Sequence, residues 1–525
     1  MTIEIIVDRD KLRLAHLALK ERLARAFPNA GVILSAADGA APLPAPVAQL
    51  LRFERFAYRR GRANLCDLAS MRLDAAQRDA DIVVDLSSAD IPARPGQAKL
   101  RPLFAGGAGE AALIGALIAG AAPHVDIENQ ATGEIVASGL PSLEAADGLL
   151  GAMEAVFSRL AILIEQALRA PRRALPQLRF PANETSSAKA ARYATKSLAR
   201  NAARLLYHAT CYAPHWRVGW RFNDGPGVME RGGLEGPRWL VLADRGHDCY
   251  ADPFPIVWRG RTCVFFESLD HRVNKGVIGV VEFGPRGPIG EATTIIEEPW
   301  HLSYPFLIEV EGELWMIPES SMSGRVPLYR CLDFPYRWER REPLLEGIEA
   351  ADATVFAHQG RYYMTSVVRE GIGGYSDTLA IHHAPSLFGP WRAHAMNPIL
   401  IDSGAARPAG RVVERAGALW RPVQDCRKGY GRALRFARID RLDPDHFEQT
   451  LAAPIESGPL WPGGRLHTVN RAGRLETIDG VAVTPKFASL RRLAATRYEP
   501  GEAPEPTPLA ETPAALAGAA RFGTD

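Results

Sequence analysis

The sequence predicts a multidomain chain in which an N-terminal α/β Rossmann-like domain precedes an all-β five-bladed propeller. Three observations predict it. Strand-like and helix-like patterns alternate over about residues 1–170, a strand-pair motif recurs at a period near 50 over about 245–485, and a Pro-rich, basic connector lies between. The chain has 525 residues, 47% apolar and 23% charged. That is a globular composition on a chain too long for one core.

The first region opens with a β-branched run, Ile3–Val7. Helical apolar spacing follows over Leu12–Phe27, then a second strand at Gly31–Ala36. DIVVDL (Asp81–Leu86) reads as a buried strand and Glu144–Ala170 as a long helix. The order DIVVDLSSADIP, a Gly-rich turn at Gly106–Gly109, the hairpin-like HVDIENQATGEIVASGLP and a long helix resembles the N-terminal domain of formyltransferases acting on sugars and methionyl-tRNA. That resemblance implies an Asn, a His–Pro–Ser turn and an Asp at the catalytic centre. No His–Pro–Ser occurs, and the nearby histidine is His124 on a strand. The domain therefore reads as a non-catalytic relative kept for docking or scaffolding.

The connector, 171–244, is extended at RAPRRALPQLRFPANETSS and then helical over about Ser187–Ala209, with Asn183 or Thr185 as the expected cap. Arg192, Lys196, Arg200 and Arg204 recur every four residues, with Leu198, Leu205 and Leu206 supplying apolar surface. Such a stripe either lies on an anionic membrane or forms the solvated face of a strut.

The third region, 245–498, carries the repeat. ADPFPIVWRGRTCVFFES, LSYPFLIEVEGELWMIPES, AADATVFAHQGRYYMTSV and ARPAGRVVERAGALWRPVQD each open on a polar motif, turn at Gly and return as a second strand; LHTVNRAGRLETIDG is a shortened fifth copy. Their opening residues Asp252, Tyr304, Asp352, Arg407 and His467 are spaced 52, 48, 55 and 60 apart. One such hairpin cannot bury its own sheet faces, so five must pack radially. The last residues, 499–525, are Pro/Ala-rich and expected to be a disordered tail.

Radial packing puts the five opening residues at the mouths of the inner strands, where they converge. Second strands add Glu267, Glu319 and Asp425, and His301 and Arg421 lie close in sequence. Glycosidic chemistry needs two carboxyl groups, one protonated, and crowded acids supply that difference in pKa. Asp252, Asp352 and Glu319 are the candidate catalytic residues. Glu267, His301, Tyr304, Arg407, Arg421, Asp425 and His467 are the candidate substrate-binding residues, with Trp300, Tyr304 and Trp315 as candidate stacking platforms. No metal-ligand spacing stands out, and neither metal nor cofactor is assigned.

DPF, FFE, HLSYPF, MIPES, LYR, FPYRW, ARPAG, RPVQDC, YG and HT together resemble the five-bladed propellers of the arabinanase, levansucrase and invertase clan. More closely, they resemble the N-terminal propeller of plant glucosamine inositolphosphorylceramide transferases and bacterial relatives. The clan resemblance implies Asp252 as base or nucleophile and Asp352 as the residue that tunes a pKa or holds the sugar. The fourth-blade acid of that clan is replaced by Arg407, which leaves Glu319, with Asp425 behind it, as the substitute. Arg407 and His467 beside carboxylates also suit a phosphate or nucleotide-sugar group.

Net charge is +2, and only eight of the 62 basic residues are Lys; this balance gives no case for a nucleic-acid partner. The Arg dominance with Ala, Gly and Pro richness suggests a bacterial genome, and six scattered cysteines, no C-x-x-C and an acidic start without a signal-peptide pattern lead to the expectation of a soluble, cytoplasmic protein. Three functions follow as expectations. The first is a carbohydrate-active enzyme, glycosidase-like or glycosyltransferase-like, acting on a cell-envelope glycan or glycolipid. The others are a glycan-binding scaffold for a separate transferase, and a sugar N-formyltransferase.

Overall fold

The computed structural model describes residues 1–487 apart from 39–42, 59–62, 70, 72, 76–79, 90, 93, 95, 121, 170–174, 176–177, 179, 181–185 and 462–463. The expected tail and the expected caps Asn183 and Thr185 lie outside the described residues. Ser186 caps the helix Ser187–Thr210, accepting the Lys189 amide at 3.3 Å.

Thr2–Asp8, the helix Leu14–Ala26 and Gly31–Ala37 form a parallel strand–helix–strand unit. Ile3, Ile5 and Val7 have no exposed surface, as expected of a strand covered on both faces. The sheet runs Asp74–Ala75, Gly31–Ala37, Thr2–Asp8, Ile82–Asp85, Ala98–Phe104, Val125–Asn129, Glu134–Gly139. The first five strands are parallel and the last two form the antiparallel hairpin read from the sequence. The helix Gly148–Arg169 packs its apolar side on this layer and sends Arg159 the other way. There Arg159 Nε meets both carboxylate oxygens of Asp377 at 2.9 and 3.0 Å. Both side chains are buried, and the Leu140 amide donates to the Ile401 carbonyl at 2.8 Å. The α/β layer is thus pinned to the propeller by a desolvated ion pair and a backbone ladder.

Five antiparallel sheets make the propeller. Blade I spans Asp248–Ile296, blade II Ser303–Glu346, blade III Ala350–Ile401 and blade IV Val413–Leu451. In the first four blades the inner hairpin turns through two residues of positive φ. These are Arg259–Gly260, Glu311–Gly312, Gln359–Gly360 and Ala416–Gly417. This geometry matches strand twist, and glycine at its second position removes half the steric cost. The first three inner strands share a second irregularity. The ladder slips at Ala251/Phe254, Ser303/Phe306 and Ala351/Thr354. Asp252, Tyr304 and Asp352 sit in those bulges at φ 51°, 43° and 57°. A bulge re-aims a side chain, and non-glycine residues hold such φ only where their surroundings enforce it.

The ring begins earlier than the repeats do. Trp216–Phe222 falls inside the stretch read as connector, yet it pairs along its whole length with Leu475–Val481, Trp216 opposite Val481. Leu240–Val241 adds the outer strand. Blade V is therefore closed by both ends of the propeller sequence. Its C-terminal repeat reads short because two of its four strands precede blade I.

Candidate functional site

A pocket of about 240 Å³ opens at the mouth of the ring, walled by Asp252, Glu267, His301, Ser303, Glu319, Arg407, Tyr430, His467, Trp216 and the Ala213–Pro214 turn, among others. Six of the ten candidate residues line it. Asp352 is buried directly behind Arg407. Tyr304 plugs the axis, where its hydroxyl accepts the Gly410 amide at 2.8 Å and meets Thr354 Oγ1 at 2.9 Å. Arg421 and Asp425 lie outside the pocket. Arg421 is buried, donating to Gln449 Oε1 at 2.9 Å and to the carbonyls of Ala405 and Ala406. Asp425 pairs with Arg427 at 2.5 Å. Trp315 packs on Phe388 within the protein and Trp300 belongs to the core between blades, so neither lines the pocket. Its aromatic walls are Trp216 and Tyr430.

Blades I and V build the buried end. Thr468 Oγ1 donates to Asp252 Oδ1 at 2.7 Å, and His467 Nε2 lies 3.8 Å from the same oxygen. His467 Nδ1 meets Asp479 Oδ2 at 2.7 Å, and Asp479 also accepts the Asp252 and Thr468 amides at 2.8 and 2.9 Å. Burial pushes the Asp252 carboxyl up to about 8. The charges of Asp479, Asp352 and Glu267 add to that shift, while His467 opposes it. Burial disfavours the charged His467 ring, but Asp479 and Asp252 outweigh it and raise its pKa. The His467 ring stacks on Trp216, centroids 3.8 Å apart and planes 9° off parallel. Gly431, at φ 59°, makes room for that stack: a Cβ there would sit 2.8 Å from Trp216 and 2.9 Å from His467. Asp252, His467 and Asp479 place ligand-type atoms within 4.8 Å of one another, a grouping that could hold a cation. The sequence shows no metal-ligand spacing because blade closure alone brings the three together.

The open wall belongs to blades I and II. His301 Nε2 lies 3.1 Å from Glu267 Oε1, and its Nδ1 accepts the Gly276 amide at 3.0 Å. Burial opposes the charged imidazole, but Glu267 outweighs it and raises His301 to about 9. Glu319 accepts the Ser303 hydroxyl and, at 3.1 Å, the Ser321 amide. Glu267 and Glu319 hold equivalent places, each opposite the residue before a blade opener; in blade III that place is Val367. The third wall is a cation. Arg407 Nε reaches Asp352 Oδ2 at 2.6 Å and Nη2 reaches Oδ1 at 3.3 Å, while its guanidinium lies over the Tyr430 ring at 4.6 Å. Burial lifts the Asp352 carboxyl and Arg407 opposes it; Arg407 itself is held well above its ordinary value, Asp352's charge outweighing the burial that disfavours its own.

Sequence reasoning missed Trp216, Ser303, Tyr430 and Asp479. Tyr430 lies in the quoted YG motif and Asp479 in the alternating TIDG strand, so both carried a signal. Trp216 carried none, because its strand lies outside the repeat.

Three carboxyl groups, a cation and stacked rings at the mouth of a five-bladed ring can be set against known proteins. Residues 242–484 match the family Glucosamine inositolphosphorylceramide transferase 1, N-terminal. The protein of that name from Arabidopsis thaliana is 32% identical over 226 residues, 41% of this chain and 29% of its own length. That from Oryza sativa subsp. indica is 31% identical over 260 residues, 46% of this chain and 34% of its own. The chain thus spans about a third of the length of the transferases it matches. Among solved structures, the GH43 protein BlXynB from Bacillus licheniformis is 17% identical and covers 41% of this chain and 50% of its own, with a TM-score of 0.32. A family 117 glycoside hydrolase from Zobellia galactanivorans is 12% identical over 51% of this chain and 90% of its own, with a TM-score of 0.33. At those scores nothing about chemistry carries over. The family match begins at residue 242, so it leaves the α/β layer and its formyltransferase likeness unassigned.

Proposed function

We propose that the propeller handles a carbohydrate head group in its mouth pocket and moves a glycosyl unit, to water or to another acceptor. The raised Asp252 reverses the roles that the clan resemblance implies: Asp252 becomes the proton donor rather than base or nucleophile, and Glu319 the opposing carboxylate rather than the acid. One observation carries this reading: three carboxyl groups face a single pocket, and one of them is raised to about 8, so it holds its proton at neutral pH. Glycosidic bond breaking needs a protonated carboxyl at the leaving oxygen and a second carboxylate at the anomeric carbon. Trp216 and Tyr430 wall the pocket, with one face of Trp216 taken by His467 and Arg407 over the Tyr430 ring, and His301 offers positive charge to a phosphate or carboxylate on the sugar. In this reading Asp352 is a positioning residue that fixes Arg407. A pocket of about 240 Å³ suits one ring rather than a long glycan. The name of the related transferases, which refers to inositolphosphorylceramide, supports a glycolipid head group as the substrate class.

A second reading, binding without turnover, is favoured by one feature. The fourth blade opens on Arg407 where an acid would complete the set, and Arg407 engages Asp352. The α/β layer serves as a scaffold in either case. The hollow at the ends of its parallel strands, lined by Asp8, Lys11, His16 and Glu110, holds about 20 Å³, room for a water molecule.

The test is a panel of oligosaccharides, nucleotide sugars and inositol phosphate head groups offered to the wild type and to Asp252→Asn. Transfer or release that falls about 10²–10⁴-fold in the variant supports the enzyme. Saturable binding with no product supports the scaffold, and unchanged turnover in Asp252→Asn removes Asp252 from the chemistry.

A further inference from the structure

The helix Ser187–Thr210 has 24 residues and buries only Ala190. Its half-buried positions Tyr193, Ala194, Ser197 and Asn201 continue that stripe, and Asn201 Nδ2 donates to the Tyr58 hydroxyl on the helix Ala45–Tyr58 at 2.6 Å. Beside it runs a second apolar stripe at i, i+4, i+7, i+8 and i+11: Leu198, Ala202, Leu205, Leu206 and Ala209. This one faces solvent, with Leu198 47%, Leu205 71% and Leu206 66% exposed. The remaining side carries Lys189, Arg192, Lys196, Arg200 and Arg204, and the helix contains no Asp or Glu.

An exposed leucine stripe with cations on the opposite side of the helix is the pattern of a helix that lies in the plane of an anionic membrane surface. A second copy of the helix would add cations and no acid, since Arg204 already pairs with Asp147 at 3.1 Å and the helix carries no Asp or Glu, so charge opposes self-pairing. Among the described residues no helix is long and apolar enough to cross a membrane, so the fitting geometry is contact in the plane of the surface. The placement adds direction. The chain leaves the helix into Cys211–Tyr212, Tyr212 stacks on the pocket residue His271 with centroids 4.8 Å apart, and Ala213, Pro214 and Trp216 line the pocket. The exposed leucines therefore lie a few residues from the pocket wall.

We infer that this helix seats the protein on an anionic bilayer, with the pocket mouth beside the lipid head groups. The membrane seat stands on the helix alone; the claim that the pocket takes its substrate from that surface rests on the function proposed above. The experiment is flotation of the full chain with vesicles of phosphatidylcholine, with and without phosphatidylserine. The full chain should float with the anionic vesicles and not with the neutral ones. Lys196→Gln with Arg200→Gln should weaken partitioning roughly thirtyfold, since each surface cation contributes roughly fivefold. Leu205→Glu with Leu206→Glu should abolish it while leaving the melting temperature in place. Asp252→Asn should float like the wild type, so a failure of the membrane seat and a failure of the chemistry are read separately. No flotation with anionic vesicles, or flotation indifferent to these substitutions, overturns the inference. So does a wild-type dimer in sedimentation that the leucine double variant converts to monomer, because the stripe would then serve a second copy.

Discussion

Asp252 and Asp352 hold the same place in two blades: each sits in an inner-strand bulge, at φ 51° and 57°, and each is almost fully buried. Their neighbours differ. Asp252 meets a hydroxyl, a histidine already engaged by Asp479, and the open pocket; Asp352 meets the guanidinium of Arg407 on two oxygens and Gln424 on one. The repeat thus sets the backbone and the aim of the side chain, while the adjoining blade sets its chemistry. Blade V beside blade I leaves an acid available, and blade IV beside blade III consumes one.

The largest effect should come from breaking the consumed acid. Asp352→Ala leaves Arg407 buried without its counter-charge and should cost about 3–5 kcal/mol in denaturant unfolding. Arg407→Met combined with Asp352→Leu should recover most of that loss. Next is Trp216→Ala, which removes the stacked wall of His467 from the strand that closes the ring and should cost about 3–5 kcal/mol. A smaller loss would mean that closure rests on the backbone ladder. The pH dependence sharpens the contrast. The fold raises Asp252 above its unfolded value, so its contribution to stability is complete below about 4 and is lost as pH rises towards about 8. Asp252→Asn should therefore flatten the stability profile across that window, as measured by melting temperature against pH. The smallest effect is Glu267→Gln, which removes the charge that lifts His301 from its ordinary value to about 9. Its imidazole titration, followed by NMR, should move back towards the ordinary value.

What the sequence disclosed follows from how local each feature is. Hairpin turns, bulge residues and the period near 50 are written in contiguous residues, so four blades and the convergence of Asp252, Glu267, Glu319, Arg407 and His467 were legible. The α/β alternation was legible for the same reason, since Ile3–Val7 and DIVVDL carry their burial in their own composition. Ring closure was not, because Trp216 and Val481 pair across 265 residues and Trp216 has no hairpin partner beside it. Arg421 and Asp425 show a second limit. Both sit on a second strand near the pocket, but which acid meets which arginine depends on side-chain reach, and Arg427, two residues on, takes Asp425. The replacement of Trp300 and Trp315 by Trp216 and Tyr430 as pocket walls has the same cause, for aromatic residues at blade interfaces are first of all core.

The proposed chemistry requires Asp252 to be the protonated acid of the pocket. A carboxyl-carbon NMR titration of the folded protein reads this directly. A midpoint for Asp252 near 8, shifted by His467→Gln, is the predicted result; a midpoint near 4 would make Asp252 an ordinary ionised carboxylate and contradict its role as proton donor.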